Sequence, residues 1–434
     1  MNIKQIVSTA QYHWKEYFPI DKQEADIKII IDPQKRYQKH IGFGGAVTDS
    51  ATISFNYLSK EKQEEYLNAY FSNKGLNYHL IRYPLGSCDF STHNYHYLSD
   101  ENIDNLSIDC DKDRIDFVNK IKEKQNNLKI FASPWSPPAF MKDNKEMNNG
   151  GKLSLQYYDL YAKMLVTSVK KLREKGVYIN VINTQNEPLA VQTWDSCVYS
   201  GKEEANFLSS YLIKEIKNNH IDDLSIGIWD HNRDVLIERI DETFNYDLKV
   251  EEVNYICFHW YSKGHFENLD YIHDKYPSLH LIMSEGCTEL LNDKNGVSSI
   301  GDFSHAEMYI HQIINDLNHY TEGYIDWNLS LDDKGGPNHV GNYCESPIMI
   351  SPNGEMKYNH SYYAIGHFSK YINEGATRIY SSSFNEDVEV VAYENPDHSI
   401  VIVVYNSNNR DHYCYLYGKV WILKAKSIST FQIK

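Results

Sequence analysis

The chain has 434 residues, a length that holds one large barrel with an accessory domain, or two to three ordinary domains. Its 41% apolar and 24% charged residues describe a globular protein with a sizeable core, which excludes a disordered or fibrous chain. A net charge of −16 argues against nucleic acid and anionic membrane as partners.

The first strand signal is 27–31, ending at Asp32-Pro33. A repeating pattern then begins. Residues 41–47 read as a strand ending at Thr48-Asp49, 59–71 as a helix with Ser59 as N-cap, and 77–83 as a strand ending in Arg82-Tyr83-Pro84. A helix over 113–126 and a strand over 128–132 lead to Ser133-Pro134-Trp135, and 155–175 is an amphipathic helix stopped by Gly176. The β-branched run 177–182 is a fourth strand that delivers Asn186-Glu187. Pro188 closes it, because proline has no N–H to give a ladder. Four further strands follow, at 224–229, 255–258, 279–283 and 323–325, interleaved with helices at 202–217, 235–240, 266–276 and 302–320; the last helix is 362–371.

Eight strand-then-helix units predict an α/β fold, a (β/α)8 TIM barrel over 39–375. A doubly wound open sheet is the competitor, but no G-x-G-x-x-G opens a helix. From Arg378 the pattern changes to short β-rich runs at 388–392, 400–404, 413–417 and 428–433, predicting an all-β sandwich side domain over 376–434. The N-terminal segment, 1–38, is expected to add its strand to that sandwich. Seven singly placed cysteines with no C-x-x-C pair predict free thiols in a reducing compartment. With no leader pattern and no run of about 18 apolar residues, the expectation is a cytoplasmic protein without membrane insertion.

The strand ends carry residues that ordinary turns do not favour: Asp49, Arg82, Trp135, Asn186-Glu187, Asp230-His231, His259-Trp260-Tyr261, Glu285 and Asp326-Trp327-Asn328. On a barrel these converge on one face. Indole rings stack on the apolar faces of sugars, while carboxylates and amides pair with hydroxyls, so the profile is that of a sugar site. Glu187 after strand four and Glu285 after strand seven face each other across such a barrel. That placement allows the separation of about 5–5.5 Å used by retaining glycosidases. Two salt-bridged surface glutamates are the competing reading. His93 and His96 lack a full ligand set, so no metal is expected, and no G-x-S-x-G supports a serine triad.

Gly42-Phe43-Gly44-Gly45-Ala46-Val47-Thr48-Asp49, Ser133-Pro134-Trp135-Ser136-Pro137-Pro138, Asn186-Glu187-Pro188, His259-Trp260-Tyr261, Ser284-Glu285 and Asp326-Trp327-Asn328-Leu329 resemble the glucosylceramidase family, glycoside hydrolase family 30, of the clan A retaining β-glycosidases. Gly335-Gly336-Pro337-Asn338, Asn342 and Ser346-Pro347-Ile348 extend the match. The resemblance implies hydrolysis of a terminal β-linked glucose, with Glu187 as acid/base and Glu285 as nucleophile. It implies Asn186 on the sugar 2-OH, Asp49, Trp135 and Trp327 as walls of the sugar subsite, and Asn342 at its rim. Arg82, Tyr261 and His259 would orient the nucleophile, with Asp230 in support, and no cofactor is implied. The chain departs from the animal enzymes at His339, where they have tryptophan, and at Gly286, where they have alanine. A β-1,6-glucosidase or glucanase, a β-xylosidase or a β-fucosidase would use the same glutamates on soluble oligosaccharides. A carbohydrate-binding protein without catalysis is the reading from another class; the expected partner in every case is a small glycoside, and the oligomeric state is not readable.

Overall fold

The computed structural model describes residues 2–22, 24–290 and 299–434. Eight parallel strands close into a barrel: β1 (Gly42–Ala46), β2 (Leu80–Leu85), β3 (Lys129–Pro134), β4 (Ile179–Asn183), β5 (Ser225–Asn232), β6 (Tyr255–His259), β7 (His280–Glu285) and β8 (Thr321–Asp326). Each strand pairs with its sequence neighbours, and β8 closes on β1 with Tyr324 opposite Phe43. Inward residues fill the lumen as a packed layer, with Leu80, Phe131, Val181, Cys257, Ile282 and Ile325 in one cluster. The predicted (β/α)8 TIM barrel with an all-β sandwich is thus the fold.

The helices follow the apolar spacing of the sequence. Ser59 caps the helix Lys60–Phe71 by accepting from the Lys62 N–H. The helix Tyr158–Glu174 lays Tyr161, Leu165, Val169 and Leu172 on the barrel. The expected helix 202–217 is not uniform: Gly201–Phe207 and Ile213–Asn218 are α-helical, and a π turn lies between them.

The second layer system is a seven-stranded sheet in the order Lys15–Tyr17, Ile3–Ser8, Ser427–Ile433, Ile400–Asn406, Val388–Glu394, Thr377–Ser382 and Ile30–Lys39. A three-stranded sheet of Lys419–Leu423, His412–Leu416 and Ile27–Lys28 covers one face. Strand Ile400–Asn406 shows why its sequence is apolar without alternation: Ile402 and Val404 face Trp421 and Phe431 in the sandwich, while Val401, Val403 and Tyr405 join the core shared with the barrel. His367, on the helix His360–Ser369, stitches the units by hydrogen bonds at 2.8 Å to Thr430 Oγ1 and Ser8 Oγ. The strand expected to stop at Asp32-Pro33 continues to Lys39. It lies at the sheet edge, and its register with Thr377–Ser382 shifts between Asp32 and Arg36, so the missing Pro33 N–H costs no ladder bond.

Candidate active site

A cavity opens at the C-terminal ends of the strands, lined among others by Asp89, Trp135, Asn186, Glu187, Glu285 and Trp327. Arg82, in β2 and fully buried, is its hub. It donates from Nη2 to Asn186 Oδ1 at 2.6 Å and Asp230 Oδ2 at 2.9 Å, and from Nη1 to the Ser284 carbonyl at 2.9 Å. Nη1 also lies 3.2 Å from Glu285 Oε2. Because a guanidinium only donates, Asn186 must turn its carbonyl oxygen to Arg82, which leaves its NH2 group for a ligand. The guanidinium sits 5.0 Å from the Trp135 ring and 5.5 Å from the Trp327 ring, which stack on each other at 5.2 Å.

Glu285 ends β7 and is 6% exposed. The Tyr261 hydroxyl donates to its Oε1 at 3.0 Å. Glu187 follows β4 with a φ of +45°, a left-handed conformation that costs a non-glycine residue about 1–2 kcal/mol. Its N–H is held by the Asp230 carbonyl at 3.0 Å. His259 Nδ1 lies 3.0 Å from Glu187 Oε1 and 3.9 Å from Glu285 Oε1. The two Oε1 atoms are therefore no more than about 7 Å apart, a limit that admits the separation of a retaining pair.

The electrostatics follow from burial and these contacts. Burial opposes protonation of His259, but Glu285, Asp230 and Glu187 outweigh it and lift the imidazole to about 9. Its Nδ1 faces Glu187 Oε1, and its Nε2 lies 3.3 Å from Asp230 Oδ1 and 3.1 Å from Arg82 Nη1. Burial would raise Asp230, yet Arg82, His259 and Ser284 hold it well below the usual carboxylate range. Burial also pushes both glutamates up. For Glu187 the imidazoles of His231 and His259 reverse the effect and hold it below its ordinary value; for Glu285 burial prevails and it lies above. Glu187, His231 and His259 each place one ligand-type atom within 4.8 Å of the others.

Most of the site residues expected from the sequence meet in this cavity: Glu187, Glu285, Trp135, Asn186, Tyr261, Trp327 and Asn342 line it, with Arg82, His259 and Asp230 directly beneath. Asn342, expected at the rim, lies in the wall at 7% exposed and donates from Nδ2 to Asp89 Oδ2 at 2.9 Å. Asp49, expected as a wall of the sugar subsite, is not among the residues lining this cavity. Thr48 caps the helix Asp49–Asn56, so Asp49 opens that helix and turns away. Its carboxylate accepts from the Tyr95 hydroxyl at 3.0 Å and sits 3.2 Å from Arg114 Nε. The carboxylate on that side of the cavity is Asp89, in the loop after β2, with Oδ1 buried and unpartnered. Burial, then Glu285, raise Asp89 well above the usual range in the empty cavity.

His231, singled out at its strand end but given no role, also reaches the site. The register of β5 against β6 skips Asp230, a bulge that presents both Asp230 and His231 to the site. His231 Nδ1 lies 3.5 Å from Glu187 Oε1 and has no hydrogen-bond partner. Of the two departures from the animal enzymes, His339 binds the Ser91 carbonyl through its N–H and Nδ1. Gly286 lies against the Trp260 indole, where a Cβ would come within 2.6 Å.

A TIM barrel with a sandwich domain, two close carboxyl groups and a paired-indole wall defines a glycosidase of the barrel type. Residues 40–372 match the glycosyl hydrolase family 30 TIM-barrel domain and residues 375–431 the family 30 beta sandwich domain, and the chain belongs to this family. It is 31% identical to the lysosomal acid glucosylceramidase of Mus musculus over 406 residues, 88% of this chain and 78% of that protein. It is 27% identical over 424 residues to the endo-1,6-beta-D-glucanase BGN16.3 of Trichoderma harzianum, 89% of this chain and 81% of that protein. The crystal structure of SrfJ from Salmonella typhimurium is 35% identical and superposes with a TM-score of 0.93 over 100% of both chains. No helix among the described residues is long and apolar enough to cross a membrane.

Proposed function

We propose that the protein is a retaining β-glucosidase of glucosylceramidase type that removes a terminal β-linked glucose by double displacement. The observation that carries this reading is the shared contact of Glu187 and Glu285 with one nitrogen of His259 on the cavity floor. Glu285 is the nucleophile: Tyr261 and Arg82 hold its two oxygens in place and stabilise the carboxylate. Glu187 is the acid/base. Both imidazoles approach its Oε1, so Oε2 is the atom left to carry the transferable proton.

The pair shares His259 and titrates as a unit. A sugar seated over Glu285 brings the electron-poor anomeric carbon to that carboxylate, favours its ionised form and leaves the proton on Glu187. In the first step Glu285 bonds to the anomeric carbon, the glycosidic C–O bond breaks, and the leaving oxygen takes the proton from Glu187. Glu187 then takes a proton from water, whose oxygen displaces Glu285 and regenerates both groups. Asn186 donates its NH2 to the sugar 2-OH, Asp89 accepts from further hydroxyls, and Trp135 and Trp327 wall the ring.

A second reading keeps the chemistry and changes the leaving group to a sugar. It is favoured by the likeness to the fungal β-1,6-glucanase and by polar groups on the Glu187 side of the cavity, Gln192, His231 and Asn232. Hydrolysis of p-nitrophenyl β-glucoside, β-xyloside and β-fucoside by the wild type and by Glu285→Gln tests the glycone and the nucleophile that both readings share. β-Glucoside turnover abolished in Glu285→Gln supports a glucose glycone with Glu285 as nucleophile. Preference for another glycone, or full activity in the variant, overturns it.

A further inference from the structure

Two cysteines line this cavity without a part in the chemistry above. Cys287 lies two residues beyond Glu285, and Cys344 opens the strand Cys344–Glu345, which pairs antiparallel with Thr288–Glu289. The ladder brings their sulfurs to 3.0 Å across 57 residues of chain. Cys287 Sγ is also 3.6 Å from the Tyr261 hydroxyl that holds the nucleophile. Two residues before Cys344, Asn342 holds Asp89. Among the described residues no other two cysteine sulfurs are in contact; Cys110 is exposed, and Cys88, Cys197, Cys257 and Cys414 are buried singly.

We propose that Cys287 and Cys344 form an oxidisable dithiol, which a small hydroperoxide entering through the cavity closes to a disulfide in its wall. The sulfurs need to approach by about 1 Å to reach bonding distance. One sulfur, as thiolate, attacks a peroxide oxygen. The O–O bond breaks, an alcohol (or water, from hydrogen peroxide) leaves, and a sulfenic acid forms. The second sulfur attacks the first, the S–O bond breaks, the S–S bond forms, and water departs with the second thiol's proton. The two sulfurs together lose two electrons and the peroxide gains them. Burial raises both thiols, so the closure is slow, requiring sustained oxidant. The disulfide ties the segment behind the nucleophile to the segment that carries Asn342.

The test uses the full chain carrying Cys110→Ser, which removes the exposed thiol. After hydrogen peroxide treatment, the protein is denatured, alkylated and weighed. The expected result is two fewer alkylated thiols per chain, with the oxidised protein about 2 Da lighter before alkylation. A digest should contain a peptide joining residues 287 and 344, dithiothreitol should reverse all three changes, and Cys344→Ala or Cys287→Ala in the same background should abolish them. An unchanged thiol count in the parent overturns the proposal, as does oxidation seen only as added oxygen without the joined peptide. Neither result depends on which glycoside the enzyme hydrolyses.

Discussion

The proposed placement of Asp89 rather than Asp49 in the sugar subsite makes a quantitative contrast. Asp89 Oδ1 is buried, has no protein hydrogen-bond partner and is part of the cavity wall, so it is placed to accept from a ligand hydroxyl. Such a hydroxyl draws the carboxyl to its ionised form, and a hydrogen bond to a charged group is worth about 1.5–3 kcal/mol. Asp89→Ala should therefore lower kcat/KM for an aryl β-glucoside by about 10- to 150-fold. Asp49 instead pairs with Arg114 and Tyr95, and Arg114 keeps Asp111 as a second partner. Asp49→Ala should lower stability by about 1 kcal/mol and leave kcat/KM within about threefold. Steady-state kinetics with thermal melts on both variants decide the matter. A larger loss of kcat/KM in Asp49→Ala than in Asp89→Ala refutes the placement.

Removing His231 in His231→Leu takes away one of the two imidazoles that hold Glu187 down, so the basic limb of the kcat/KM–pH profile should move to higher pH; an unmoved limb would deny His231 that influence. Three buried histidines should give native stability two opposing pH dependences. His259, raised to about 9, contributes stability that is complete below about 6.5 and lost as pH rises to about 9. His40 and His367, pushed down by burial to about 3, contribute stability that is complete above about 6.5 and lost as pH falls to about 3. Denaturant melts from pH 4 to 9 check both limbs, and His259→Asn should flatten the alkaline one. Gly286→Ala drives a methyl into the buried Trp260 indole and should cost about 1–3 kcal/mol of stability, measured by urea denaturation.

The barrel was legible because each strand is an apolar run closed by a turn signal and each helix has its own apolar stripe, as in Tyr158–Glu174 with Gly176 behind it. The sandwich was legible in its strongest strands but not at its edges. Lys15–Tyr17 is short and polar, and Ile3–Ser8 lies far in sequence from its partner Ser427–Ile433. In the site, the strand-end rule found the groups that close the apolar strand runs, such as Arg82, His259 and Glu285. It failed for Asp49, where helix capping by Thr48 outweighed strand direction. It passed over Asp89, because that residue lies in the loop after β2 and reaches the cavity only through tertiary folding. At His231 a bulge broke the alternation that assigns side chains to faces.

The central claim is that Glu285 forms a covalent bond to the sugar. Incubation with 2-deoxy-2-fluoro-β-glucosyl fluoride, followed by intact-mass and peptide mapping, tests it directly. The fluorine slows both steps and the good leaving group restores the first, so the intermediate should accumulate. The account predicts loss of activity in step with the addition of one fluoroglucosyl group per chain, mapped to Glu285. An adduct on another residue, or full turnover of β-glucoside in an enzyme that never labels, would contradict it.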